Sequence, residues 1–373
     1  MKFLVIPDKF KGSLSAEDAC GILKEEILAA YPESEVITLP IADGGEGLTD
    51  TFLRAKVGKK VFIKAKNPFF EEIDASYALF PDKTAVIEVA EAAGLKLVTG
   101  RADTLAATTY GVGEMILDAA KNGAETVYVG LGGTATTDGG AGMLCALGAK
   151  FYNKDKKEFI PTGGTLSEIC GINADNIALK GVKIICLADS LNPLFGVDGA
   201  AYVYAKQKGC EDSDIPLLDD GLRNFANVTS KVREDLSGMK GTGAAGGIGY
   251  AVVSYLGGEI RSGIDEVLHV TGFIDKLDGT DYVITGEGKF DNQSLFGKAV
   301  WGVARAAKRA GVKVILIAGV VKGVSNAELK EIGITAAFST NRNGYTDFSD
   351  IQAHAKEDFR NTVNSVLALI KGE

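Results

Sequence analysis

Short apolar runs alternate with helical periodicity at both ends of the chain. Phe3–Ile6 reads as a buried strand. Ser13 and Ser15 then offer N-caps, and Asp18 stands three residues after Ser15, the spacing of a capping box. Ala19, Ile22, Leu23, Ile27 and Ala30 recur at helical spacing until Pro32 stops the helix, and Glu35–Leu39 gives a second strand. A strand, a helix and a strand in this order predict a parallel sheet. The same rhythm resumes near the C-terminus. It gives strand Tyr282–Thr285, helix Phe296–Ala310, strand Val314–Ala318, helix Asn326–Ile332, strand Ala336–Phe338 and a closing helix Ile351–Ile370.

The middle has a different pattern. After a helix that follows Asp43, the segments Val61–Lys66, Asp74–Phe80 and Thr84–Val89 read as successive short strands, with turns at Asn67-Pro68 and Pro81-Asp82. Helix Gly113–Lys121, strands Thr126–Val129 and Val182–Leu187, a helix near Pro216–Leu236 and a Gly/Ala-rich helix from Ala244 follow. At 373 residues the chain is long for one core. The predicted fold is α/β in two domains. Residues 1–66 with 270–373 form an open Rossmann- or flavodoxin-like parallel sheet, and 67–269 form an inserted mixed α/β domain.

Composition narrows the chemistry. The net charge is −9 and no Lys/Arg block stands out, which argues against a nucleic-acid binder. An anion must then be held by a few local donors or through a metal ion. The five Cys are scattered and never spaced as Cys-x-x-Cys, as expected for reduced thiols in a cytoplasmic protein. The two His leave acid–base work to Asp, Glu or Lys. The N-terminal apolar run is too short for a secretory signal, and no run approaches a membrane span. No pattern encodes the oligomeric state, and a homodimer is one admissible assembly.

Glycine is the outlier, with 47 residues gathered in clusters. Gly130-Leu131-Gly132-Gly133-Thr134-Ala135-Thr136-Thr137-Asp138-Gly139-Gly140-Ala141-Gly142 leaves a strand and opens a helix. Its N–H groups and the helix start suit an anion, Thr134, Thr136 and Thr137 can donate, and Asp138 suits magnesium or a cap. The bland alternative is a glycine-rich turn packed against other backbone. Gly241–Gly249, with Gly246 and Gly247, suits close approach to a nucleotide or tight packing. No Gly-x-x-x-x-Gly-Lys-Ser/Thr occurs, so a P-loop is excluded. Gly130-x-Gly132-x-x-Ala135 also fits a dinucleotide pattern, but the acidic residue that should follow the next strand is missing. A hydroxy-acid oxidoreductase using NAD is therefore the rival enzyme class, and a non-catalytic metabolite binder is a third reading.

Acidic and basic residues follow several strands, where open sheets bind ligands. Asp8, Lys9 and Lys11 follow the first strand; Asp43-Gly44-Gly45-Glu46 precedes a helix, as a capping pair or as ligands for Mg²⁺ or a hydroxyl. Thr285-Gly286-Glu287-Gly288-Lys289-Phe290-Asp291, with Gly297-Lys298 beyond it, suits a metal and phosphate. Asp189 stands directly after Val182–Leu187, as a catalytic carboxylate or a loop cap, and Arg261 could fork onto a carboxylate or lie on the surface.

These stretches together resemble the glycerate kinase family, in particular its bacterial glycerate 2-kinases, across nearly the whole chain. The resemblance is carried by Pro7-Asp8-Lys9-Phe10-Lys11-Gly12-Ser13, Ala42-Asp43-Gly44-Gly45-Glu46-Gly47, the Gly130 loop, Asp189 with Asn192-Pro193-Leu194, Gly243–Gly249, and Ile284-Thr285-Gly286-Glu287-Gly288 with Asp291 and Gly297-Lys298. Thr134 and Thr137 stand where the family pattern has Ser and Asn. The resemblance implies two α/β domains with the active site between them, ATP and Mg²⁺ as cofactors, and phosphoryl transfer to D-glycerate. The expected roles are these. Asp189 or Asp43 is the general base, and Lys11 in the same catalytic set grips the substrate carboxylate. Gly132, Gly133, Thr134, Thr136, Asp138, Gly139, Gly246, Gly247 and Lys298 hold the nucleotide phosphates. Asp8, Lys9, Glu46 and Arg261 bind substrate, and Glu287 and Asp291 bind the metal.

Overall fold

The computed structural model describes residues 1–10, 12–41, 47–179, 181–295, 299–341 and 344–372. Strands in chain order are β1 (Lys2–Val5), β2 (Glu35–Thr38), β3 (Lys59–Lys66), β4 (Glu72–Leu79), β5 (Thr84–Glu88), β6 (Thr126–Gly130), β7 (Lys150–Tyr152), β8 (Glu158–Phe159), β9 (Gly171–Asn173), β10 (Lys183–Leu187), β11 (Glu259–Arg261), β12 (Tyr282–Thr285), β13 (Lys289–Phe290), β14 (Lys313–Ala318), β15 (Val320–Val321) and β16 (Ile334–Ser339). The chain divides into two compact units, Met1–Asp43 with Ile264–Glu373, and Gly44–Gly263.

The first unit carries a five-stranded sheet, β16-β14-β12-β1-β2, with every pairing parallel. Parallel strands buried on both faces need continuous apolar runs, which β1 and β14 supply. Helix Ala16–Ala30 begins as its sequence requires: the Ser15 hydroxyl accepts from the Asp18 N–H at 3.0 Å. The closing helix Phe348–Lys371 lays Phe359, Val363, Val366 and Leu367 into the core built on Phe3, Val5 and Leu23. Phe10 meets Phe359 edge to face at 5.3 Å.

The second unit carries a six-stranded mixed sheet, β11-β10-β6-β5-β4-β3. Its first four strands are parallel, and β4 and β3 complete it antiparallel. The domain boundary expected near Asn67 is corrected here. β3 pairs with β4 from Lys59↔Leu79 to Lys66↔Glu72, and Phe52 of helix Leu48–Ala55 packs on Phe80 and Tyr128. Residues from Gly44 onward therefore belong with the middle of the chain. Small strands β7, β8 and β9 form a separate three-stranded sheet. The helix expected from Ala244 also starts differently. Ala245 and Gly246 take left-handed φ of +53° and +67°, and the regular helix is Ile248–Tyr255.

Candidate active site

In the six-stranded sheet the carboxyl ends of four parallel strands line up in one row. Glu88 of β5 pairs with Gly130 of β6, Gly130 with Leu187 of β10, and Leu187 with Arg261 of β11. The Gly130 loop, Asp189 and Arg261 thus leave the same edge, the usual ligand position of an open α/β sheet.

After Gly130 the chain runs through ten residues of turn before helix Ala141–Ala146. A dinucleotide fingerprint would enter a helix within its glycine pattern, so the oxidoreductase reading lacks its structural context. Gly133 is exposed, with φ +73°, and a Cβ there would meet only Ala90 Cβ at 3.5 Å. Among the described residues, the Gly132 and Gly133 N–H groups meet no acceptor. They are the part of the loop open to an anion.

The rest of the loop is committed to holding shape. Thr134 and Thr136 hydroxyls lie 3.0 Å apart, and both residues are buried. Asp138 is fully buried. Its carboxylate accepts from the Thr109 N–H and Thr109 Oγ1 at 2.8 Å each, from Thr108 Oγ1 at 3.4 Å, and from the Gly140 and Gly142 N–H groups at 3.1 and 3.2 Å. Burial pushes its pKa up, and these donors counter the push. Asp138 therefore clamps the start of helix Ala141–Ala146 onto the Thr108-Thr109 turn and does not face a ligand. Gly139 donates its N–H to Gly246 O at 2.9 Å. A Cβ on Gly246 would stand 2.0 Å from Thr136 O, and one on Gly247 would stand 2.7 Å from Gly139 Cα. The two glycine-rich loops interlock backbone to backbone, so the packing reading holds at Gly139, Gly246 and Gly247, and Gly132 and Gly133 are the glycines left for the ligand reading.

Asp189 is half-buried, and its Oδ1 accepts from Ser262 Oγ at 3.2 Å and from the Gly263 N–H at 3.0 Å. Those donors fix its orientation at the sheet edge. Arg261 is turned onto its own strand: its guanidinium binds Glu259 at 2.7 Å, and Lys183 shares that carboxylate at 2.6 Å.

Glu88 was not among the expected residues. It is buried and accepts from the Gly47 and Thr49 N–H groups at 2.9 and 2.8 Å, capping helix Leu48–Ala55. Burial raises its pKa against those donors. It anchors the end of the Ala42–Gly47 motif to the sheet edge beside Gly130. A charged residue closing an apolar strand was its sequence signal. Lys208 is a second unforeseen residue: it is buried, with Nζ donating to Thr136 O at 2.6 Å.

In the five-stranded sheet, Asp8 follows β1 and Glu287 follows β12. The Asp8 N–H donates to Gly286 O at 2.8 Å, and the Asp8 carboxylate accepts from the Lys9 N–H at 2.7 Å. Gly286 is required there, since a Cβ would stand 2.1 Å from Ile317 O. Asp291 pairs with the exposed Lys289 ammonium at 2.7 Å. Among the described residues no three His, Cys, Asp or Glu side chains gather as a metal site. Mg²⁺ commonly takes only one or two carboxylates, with phosphate and water completing its shell, so the lack of such a cluster leaves Glu287 and Asp291 as candidate ligands. Lys11, Asp43, Glu46 and Lys298 lie outside the described residues. Among the described residues no helix is long and apolar enough to cross a membrane.

The chain is similar to known proteins along its whole length. Residues 3–371 match the Glycerate kinase family. A glycerate kinase of Bacillus cereus is 39% identical over 376 residues, covering 100% of this chain and 98% of that protein. A glycerate 2-kinase of Escherichia coli is 38% identical over 344 residues, covering 91% and 90%. A crystal structure provisionally assigned as glycerate kinase 2 from Salmonella typhimurium LT2 superimposes with a TM-score of 0.83 at 33% identity, covering 100% of this chain and 98% of that one. The motif order, the two parallel sheet edges and this full-length similarity lead to one assignment: the chain belongs to the glycerate kinase family.

Proposed function

We propose that this enzyme transfers the terminal phosphoryl group of ATP, with magnesium, to the 2-hydroxyl of D-glycerate. The observation that carries the reading is the row Glu88–Gly130–Leu187–Arg261, which sets an open glycine turn and an oriented carboxylate on one sheet edge. Phosphoryl transfer asks a protein for positioning and charge stabilisation more than for covalent chemistry. The Gly132 and Gly133 N–H groups would receive phosphate oxygens. Asp189 would take the proton of the glycerate hydroxyl as that oxygen attacks phosphorus in line and the bond to ADP breaks. Its two donors from Ser262 and Gly263 hold one carboxylate oxygen, which fixes the aim of the other.

Magnesium, held by Glu287 and Asp291, would offset negative charge on the phosphates. Lys11, Lys9, Asp8 and Glu46 are proposed for the substrate, Asp43 as a second candidate base, and Lys298 for phosphate, on their motifs. For Arg261 the role requires exchanging Glu259 for the substrate carboxylate. Use of ATP and five cysteines that form no disulfide suit the cytoplasm. The 2-position is favoured by similarity to a relative named glycerate 2-kinase. Phosphorus NMR of the product tests the reading: ADP release that requires D-glycerate, with a 2-phosphoglycerate resonance, is expected. A 3-phosphoglycerate product would overturn the regiochemistry, and ADP release indifferent to D-glycerate would overturn the substrate.

A further inference from the structure

Lys208 is 4% exposed and closes the short helical turn Lys206–Lys208. Gly209 follows with φ +88°, and a Cβ there would stand 2.3 Å from Ala102 Cβ. The turn is thus pressed against the Ala102 segment, and the lysine is directed inward. Its Nζ donates to Thr136 O at 2.6 Å, and no other acceptor is seen for it among the described residues. The acidic side chain acting on it is Asp138, whose oxygens already accept from Thr108, Thr109, Gly140 and Gly142. Lys208 is therefore not neutralised by a dedicated partner, and burial pulls its pKa down to about 7. An apolar side chain of similar length would avoid the cost of burying an ammonium but would lose the hydrogen bond to Thr136 O, so the role of the lysine is tied to that carbonyl.

The ammonium controls one peptide. The Thr136 carbonyl is caught between Lys208 on one side and the close approach of Gly246 on another. A trans peptide is planar, so fixing that oxygen turns the Thr137 N–H the opposite way. That N–H meets no acceptor among the described residues, and the Thr137 hydroxyl is buried without a partner. The loop therefore holds unused donors at Thr137 besides those of Gly132 and Gly133, with a buried cation behind them.

We propose that Lys208 is a positioning residue of the phosphate loop, fixing the Thr136–Thr137 peptide from beneath and lending a positive charge that a bound triphosphate offsets. The proposal rests on reading the Gly132-Gly133 turn as the phosphate site. Binding of ATP with magnesium, measured by titration calorimetry at pH 6 and pH 8 in two buffers of unlike ionisation heat, tests it without turnover. For the wild type we expect proton uptake on binding at pH 8, and affinity about tenfold weaker at pH 8 than at pH 6. Lys208→Met should bind at least about tenfold more weakly at pH 6, take up no proton through this group, and still unfold cooperatively in a thermal melt. A Lys208→Met protein that matches wild-type affinity within about twofold overturns the proposal. So does a wild type that takes up no proton at pH 8, a result that needs no variant to fold. Gly133→Val separates the two readings. If it weakens ATP binding and Lys208→Met does not, only the lysine role falls; if Gly133→Val leaves binding unchanged, the phosphate loop falls and this proposal with it.

Discussion

At the carboxyl edge of the five-stranded sheet, β1 and β12 end in short turns that carry acidic side chains, Asp8 and Glu287. Gly286 lets those turns pass close to Ile317. At the corresponding edge of the six-stranded sheet, β6 ends in ten residues of turn whose side chains mostly face inward. There Thr134, Thr136, Thr137 and Asp138 are all buried, and what remains open is backbone. The first edge presents charge on side chains, and the Gly130 loop of the second presents N–H dipoles held in place by buried polar groups. A substitution at Asp8 or Glu287, or at Asp189 beside the loop, should act on chemistry directly. One within the Gly130 loop should act through the shape of that loop.

The sharpest break of this comparison is Gly246→Ala. The added methyl meets Thr136 O at 2.0 Å on a residue already at φ +67°, and neither loop can retreat. Urea denaturation should show a loss of about 3 kcal/mol, with glycerate-dependent ADP release abolished. Gly133→Ala, in the same loop but with open space around it, should lose only about 1 kcal/mol from backbone strain. Asp138→Asn comes next. It sets an amide donor among N–H and hydroxyl donors, and should cost about 1–3 kcal/mol of stability in the same assay.

Lys208 gives a pH-dependent signature. Its folded pKa lies near 7, below the ordinary 10.5, so the unfolded chain binds the extra proton between those values. Stability should therefore rise as pH climbs from about 7 towards 10.5, and Lys208→Met should remove that part of the slope in thermal melts. Arg261→Ala should be the mildest for folding, under about 1 kcal/mol, because its partner Glu259 is half exposed and retains Lys183. A raised KM for D-glycerate in that variant would show that Arg261 leaves Glu259 for substrate.

The five-stranded sheet was legible because its strands are short apolar runs bounded by caps and glycines. Ser15, Pro32 and helix Asn326–Ile332 mark their ends with local chemistry. The second unit was less legible. Strands β7, β8, β9 and β11 span two or three residues each, too few for alternation to register. The stretch from Ala244 reads as helix by composition, yet Gly246 must pass Thr136 O, and that tertiary contact forces a left-handed start. The placement of Asp189 after β10 and of the Gly130 loop after β6 was legible because each follows an apolar strand. Lys208 was missed because Lys206-Gln207-Lys208 reads as a solvated turn, and only the contact at Gly209 turns one lysine inward. Glu88 could have been found, since a carboxylate inside Thr84–Val89 is costly to bury without donors.

The most direct test of the catalytic edge is a single-turnover experiment on Asp189→Asn with saturating ATP and D-glycerate. Asparagine keeps an oxygen for Ser262 and Gly263, so folding and nucleotide binding should be preserved. The phosphoryl-transfer step should slow by about 10²–10⁴-fold. A transfer rate within about twofold of wild type would contradict the account, because the row of strand ends would then carry a carboxylate that the reaction does not use.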